Sequence, residues 1–293
     1  MALTLAQIES RVGTEGRHPW WSLFRRHPLL VIGGVLLVIM ALVALAAPWI
    51  APYSPIDMKV MQRLQAPSAA HLFGTDAMGR DVFSRVLWGG RVSLIVGISV
   101  SLLATSIGVL IGMVAGFSRM ADALIMRVMD GMMAIPGILL AVALMALLRA
   151  SVETVVIAIA VPEIPRVVRL VRSLVLVIRE QPYVQAAEAI GTRFHWILLR
   201  HVLPNAVTPL IVQGTFISAS AVLFEAYLSF LGAGTPPEIP SWGNMMAEGR
   251  AVVQLAFNII LFPGIFLGLT VLSINLLGDG LRDMLDPKIA RRL

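Results

Sequence analysis

The chain contains no cysteine, so disulfides, zinc–thiolate sites and iron–sulfur clusters are excluded. Charge is scarce as well. Only 14% of the 293 residues are Asp, Glu, Lys or Arg, whereas a soluble domain carries about 25%. The five histidines, at 18, 27, 71, 195 and 201, form neither a His-x3-His nor an HExxH pattern. No GxxxxGK[ST] phosphate loop occurs, so this chain does not itself hydrolyse ATP. GxSxG, paired catalytic carboxylates and a metal-ligand cluster are also missing. There is no internal repeat, low-complexity run or Gly/Ser linker.

What is abundant is apolar. Hydrophobic residues make up 58% of the chain and mean hydropathy is +0.85, an excess that calls for lipid as solvent. Six stretches stand out, at about 28–50, 92–117, 130–148, 152–171, 209–231 and 252–277. Each is near the roughly 20 residues that cross a hydrocarbon layer, and within lipid each must be helical. The first contains Ala44-Leu45-Ala46, which resembles a signal cleavage site, but its apolar core is too long for a signal peptide. In the second, Gly108, Gly112 and Gly116 recur every four residues, so one helix face is small and packs closely. The fourth is the weakest, with Glu163 between Pro162 and Pro165 and then Arg166, Arg169 and Arg172.

The expected fold is an all-α polytopic membrane protein with six transmembrane helices. A cytosolic segment, 1–27, precedes a membrane domain, 28–293, with outer loops 51–91 and 232–251 and a cytosolic loop 172–205. The net charge of +6 is read as flanking charge that sets orientation, not as a nucleic-acid footprint. Placing 1–27, 118–127, 166–205 and the tail after 278 inside puts 16 Lys+Arg there, against 7 outside. Both termini are then cytosolic.

One loop is unlike the others: YVQAAEAIGTRFHWILLRHVLPN, Tyr183 to Asn205. Tyr183, Ala186, Ala187 and Ile190 fall on one face of a short helix, and the paired alanines keep that face shallow. Gly191 suits a left-handed helix end, Phe194, Ile197 and Leu198 restart an apolar stripe, and Pro204 marks entry to the next span. Periodicity alone leaves two readings even: a helix lying in a partner's groove, or one resting on lipid.

Four blocks carry a resemblance: LFGTDAMGRDVFSRVLWGGRVSL (72–94), this loop, EAYLSFLGAGTPPEIPSWGNMM (225–246) and NLLGDGLRDMLDP (275–287). Together they make the chain similar to permease subunits of peptide/nickel-type ABC importers, specifically the C-type subunit of the dipeptide/oligopeptide branch. The loop matches that family's ATPase-docking motif, Glu-Ala-Ala-x3-Gly-x9-Ile-x-Leu-Pro, at Ala186, Ala187, Gly191, Leu203 and Pro204. It departs where Gln185 replaces Glu, with loss of charge, and His201 replaces Ile.

The resemblance implies the type I importer permease fold in the bacterial inner membrane. It implies a non-enzymatic transport subunit that forms half of a path for peptides or similar solutes. Its partners would be a homologous permease, two ATPases holding ATP and Mg, and an extracytoplasmic substrate-binding protein. The ATPase-docking residues would be Tyr183, Gln185, Ala186, Ala187, Ile190, Gly191, Leu203 and Pro204.

Other residues carry paired readings. Asp76, Arg80, Asp81 and Arg85 form either an outward cluster for the binding protein or a self-contained ion-paired loop. Trp242 lines the outer mouth or anchors at the interface. Asp279, Arg282 and Asp286, spaced i, i+3, i+7, are read as a structural cap. Intramembrane charges are functional candidates by default. Asp130 and Glu163 are expected to be neutralised locally by Arg127 and Arg166. Glu225 has no basic neighbour within a turn and is expected at the interface between the two permease chains. The competing classes are a membrane enzyme, which needs Asp130, Glu163 and Glu225 to converge on one cavity, and a passive channel, which needs no docking loop.

Overall fold

The computed structural model describes residues 27–285. The N-terminal segment up to residue 26, and Asp286 with the residues after it, lie outside the described residues. Among the described residues there is no strand, only an isolated bridge between Thr75 and Asp81.

Nine helices are used below: α1 (Pro28–Leu45), α2 (Val82–Phe117), α3 (Arg119–Met133), α4 (Gly137–Leu147), α5 (Val152–Arg179), α6 (Pro182–Ala189), α7 (Leu203–Phe230), α8 (Trp242–Gly249) and α9 (Asn258–Leu285). Four helical stretches are long and apolar enough to cross a membrane, namely α1, α2, His195–Phe230 and α9; the number is five if α3 and α4 form one bent span. The third expected span, 130–148, is therefore not one straight helix. The axes of α3 and α4 turn by 89° at Pro136, which lacks an N–H and disfavours helix in the residue before it. At 11 residues, α4 is about 17 Å long, too short to cross alone.

The fourth expected span belongs to α5, 28 residues long, which carries two glutamates and four arginines. Ser151 and Thr154 cap it reciprocally: Thr154 N–H donates to Ser151 Oγ at 3.2 Å and Ser151 N–H to Thr154 Oγ1 at 3.0 Å. The helix runs on through Pro162 and Pro165 to Arg179. Arg166, Arg169 and Arg172 thus stand on a helix and not in a loop. Outer loop 51–91 is also shorter than expected. Helix α2 begins at Val82, where the Asp81 carboxylate accepts from Ser84 N–H at 2.7 Å.

Close packing uses the glycines. A Cβ at Gly108, Gly112 or Gly116 would sit 2.5, 2.7 or 2.5 Å from the Cβ of Val167, Val171 or Val175. The register is constant, so α2 and α5 run parallel, backbone against backbone. Gly33 on α1 meets the backbone of Leu276 and Leu277, and Gly280 on α9 meets Leu30, so α1 and α9 are an antiparallel pair. Ala44 lies beside Gly90. Trp242 packs on Gly89 and Gly90 near the start of α2, whereas Arg179 reaches Phe117 at its end. Residues 51–81 and α8 therefore gather at one end of the bundle. The segment 180–202, the start of α1 and the end of α9 gather at the other.

Candidate functional site

Helix α6 is held from beneath. Val184 is fully buried, and Ile197, Leu198 and Val202 beyond it are buried too, in a cluster that includes Val175 and Ile178 of α5. It ends on Gly191, whose φ is +82°. Gly191 N–H donates to Glu188 C=O at 2.9 Å and Thr192 N–H to Ala187 C=O at 3.0 Å, the two bonds of a Schellman cap. Nothing lies within 4 Å of where a Gly191 Cβ would be, so it is the backbone, not crowding, that asks for glycine.

The chain then re-enters helix at Phe194–Ile197 and widens into a π turn, Leu198–Val202, before α7. Pro204 has no N–H to offer the carbonyl of Arg200, and Asn205 Nδ2 donates to His201 C=O at 2.6 Å. Such π insertions often mark functional positions.

Between these two segments lies an open groove of about 490 Å³, lined by Tyr183, Ala186, Ala187 and Ile190 on one wall and by Thr192, Trp196, Arg200 and His201 on the other. The first four are the residues that helical spacing places on one face. The groove is largely uncovered: Ile190 is 83% exposed, Trp196 56% and Tyr183 45%. The Tyr183 and His201 rings stand 5.7 Å apart. Gln185 lies outside the groove, where its amide donates weakly to Glu180 C=O at 3.5 Å. Leu203 and Pro204 also lie outside it, in the first turn of α7. Sequence reasoning missed the second wall, although Thr192, Trp196 and Arg200 are within the loop it singled out.

At the other end the charges close on themselves. Asp76 Oδ2 accepts from Arg80 Nε at 2.7 Å and from Arg85 Nη1 at 2.5 Å. Glu248 Oε2 on α8 accepts from Arg80 Nη2 at 2.5 Å and from Arg85 Nη1 at 2.6 Å. Asp81 pairs with His71 Nδ1 at 2.8 Å. Asp76, Arg80, Asp81 and Arg85 are all buried. The outward-facing alternative is thus corrected: desolvated charges survive by pairing, and this clasp has its partners inside the chain. Glu248, which the sequence reading missed, completes it. Its signal was being the sole acid between Ile239 and Gly278.

Trp242 is neither an exposed rim residue nor an interfacial anchor. It is buried, donates Nε1–H to Val86 C=O at 3.0 Å and joins α8 to α2. The preceding loop is tied by Asn244, whose Nδ2 reaches Thr235, Pro236 and Ile239 carbonyls at 3.1, 3.0 and 3.2 Å.

Glu225 is also corrected. It is fully buried within its own chain. Ser229 Oγ donates to Oε1 at 2.8 Å and Ser93 Oγ to Oε2 at 3.2 Å. Its partners are hydroxyls and not bases, and one of them, Ser229, is at i+4. Glu163 takes Arg166 as expected, with Nη1 3.1 Å from both carboxylate oxygens. Asp130 takes Arg169 of α5 at 2.7 Å instead of Arg127. Asp122 is held by both Arg172 Nε and Nη2, the latter at 2.7 Å. Asp130, Glu163 and Glu225 therefore have three separate sets of partners. The triad of Asp279, Arg282 and Asp286 is incomplete here, since Asp286 lies outside the described residues.

Residues 108–291 match the family model described as binding-protein-dependent transport system inner membrane component. Residues 18–67 match the N-terminal TM domain of oligopeptide transport permease C. The chain is 49% identical over 296 residues to a probable peptide ABC transporter permease protein of Sinorhizobium fredii, covering 100% of each chain. It is 42% identical to a dipeptide transport system permease protein of Alkalihalophilus pseudofirmus, covering 92% of this chain and 90% of that one. A glutathione transport system permease protein of Escherichia coli is 42% identical, with 93% and 90% covered.

Proposed function

Because the chain belongs to the family of inner membrane components of binding-protein-dependent transport systems, and is thus a transport subunit and not an enzyme, we propose that the groove of residues 183–201 is where an ATPase subunit docks. The observation that carries this is the exposed groove itself. Its apolar wall residues are left without a cover in a loop whose underside is firmly packed. A helix or loop of a soluble partner fits such a surface, and a change of angle at α6 passes through the π turn to α7.

Family membership supports the arrangement that completes this proposal. One chain supplies half of a path, and a homologous permease supplies the other half. Two ATPases hold ATP and Mg²⁺ on the cytosolic side. A substrate-binding protein delivers the solute to the end that carries the clasp and α8. Both termini are cytosolic, in keeping with the Lys/Arg bias. The solute is a peptide or a small peptide-like molecule such as glutathione, the class named for the relatives.

Ala187→Glu places a carboxylate on the α6 wall of the groove, where a docked partner would leave it poorly solvated. Gly191→Pro forces φ to about −65° where +82° is needed. Both variants reach the membrane in normal amount, fail to retain the ATPase in co-purification and lose peptide uptake. Normal uptake by Ala187→Glu removes the groove as the docking site.

A further inference from the structure

Helix α5 presents three arginines to the same side, and they are paired to different degrees. Arg172 is closed: both its Nε and Nη2 grip Asp122. Arg169 gives only Nη2 to Asp130, and both partners are open, with side chains 45% and 60% exposed. Arg166 gives only Nη1 to Glu163, which is 3% exposed, while its own side chain is 55% exposed. The remaining nitrogens of Arg166 and Arg169 have no hydrogen-bond partner among the described residues.

The depth of these groups follows from the register with α2. Val167 lies on Gly108, so Arg166 is level with a point nine residues before Phe117, about 14 Å from the end of that helix. The apolar run of α2, 92–117, has no charge, and a hydrocarbon core is about 30 Å thick. Arg166 is therefore near mid-membrane, with Arg169 about one turn nearer the α6 end. A half-exposed guanidinium at that depth is too costly to face lipid and marks a path or a cavity.

We infer that this face of α3 and α5 is a wall of the water-filled translocation path, and that Arg166 and Arg169 receive the carboxylate of the passing solute. The inference rests on the transport reading above. Open guanidinium forks match a carboxylate in geometry and charge. Their incomplete pairing suits transient contact, because a path must bind weakly enough to release. Arg172, held through both Nε and Nη2 by Asp122, takes no part.

This chain has no cysteine of its own, so labelling is read on this chain after it is separated from its partners. Arg166→Cys and Arg169→Cys are made singly in the assembled transporter in membrane vesicles. Each is treated with 2-carboxyethyl methanethiosulfonate or its trimethylammonium counterpart, with Leu102→Cys on the exposed apolar face of α2 as control. Only a thiol in water ionises and reacts readily. Both sites should react on the order of tenfold faster than the control, the equivalent of about one pKa unit. At Ser173→Cys, which is exposed one turn beyond Arg169 and leaves both arginines in place, the carboxylate reagent should be favoured, and adding Arg169→Gln should reduce that preference. Reaction no faster than at Leu102→Cys, at both positions, overturns the water-filled wall, whether lipid or a partner chain covers it. Fast reaction with no charge preference overturns the carboxylate role. Peptide uptake by the unsubstituted complex tests the transport reading separately, so either can fail without the other.

Discussion

The two ends of the bundle solve opposite problems. At one end Asp76, Arg80, Arg85 and Glu248 pair with one another, Asp81 pairs with His71, and Trp242 and Asn244 use their polar atoms within the chain. At the other, Tyr183, Ile190 and Trp196 are left open around a groove while the residues beneath them are sealed. Both ends carry family-specific sequence blocks, and from sequence both looked like places for partners. The difference is informative: charge that is already paired and buried is architecture, whereas apolar surface left uncovered on a rigid base is where something else belongs.

The comparison can be broken most severely at the clasp. Asp76→Ala leaves Arg80 and Arg85 short of a carboxylate in a buried site, and should cost about 3–5 kcal/mol. The expected readout is loss of monodisperse protein after detergent extraction; full recovery with an unchanged melting profile would make the clasp dispensable. Gly112→Leu, between the two ends, drives atoms into Val171, 2.7 Å from the new Cβ. It should cost about 1–3 kcal/mol, seen as a lower melting temperature with normal membrane targeting. Trp242→Phe keeps a ring in place but removes the bond to Val86, and should cost about 0.5–1.5 kcal/mol by the same assay. The smallest stability effect is expected at the groove. Ile190→Asp should change stability by no more than about 0.5 kcal/mol, yet capture of the ATPase should fall sharply. A large stability loss there would mean that the groove is architecture too.

The sequence made the periodic parts legible. The glycines at 108, 112 and 116 announced a close helix contact, and the contact is there, though only the structure names α5 as the neighbour. The spacing of Tyr183, Ala186, Ala187 and Ile190 placed them on one face, and they line one groove. Gly191 was legible as a helix end because its role is local. Long-range pairings were not. Nothing near Asp122 points to Arg172, fifty residues away, and nothing near Arg85 points to Glu248. The break at Pro136 was visible as a proline but not as a right-angle turn. Pro162 and Pro165, an equal warning on paper, interrupt nothing.

The π turn at Leu198–Val202 has a mechanical consequence. It spares the chain a flexible joint between the docking groove and the membrane, so helix runs from His195 to Phe230 without a gap, 36 residues in all. Pro209 within it removes one hydrogen bond but makes no break. Such a rod is about 54 Å long, and tilting it by about 5° displaces its far end by roughly 5 Å. That far end holds Glu225 and Ser229, at the base of the loop leading to α8. A push too small to reshape the groove thus becomes, one membrane thickness away, a displacement as wide as a water molecule and more.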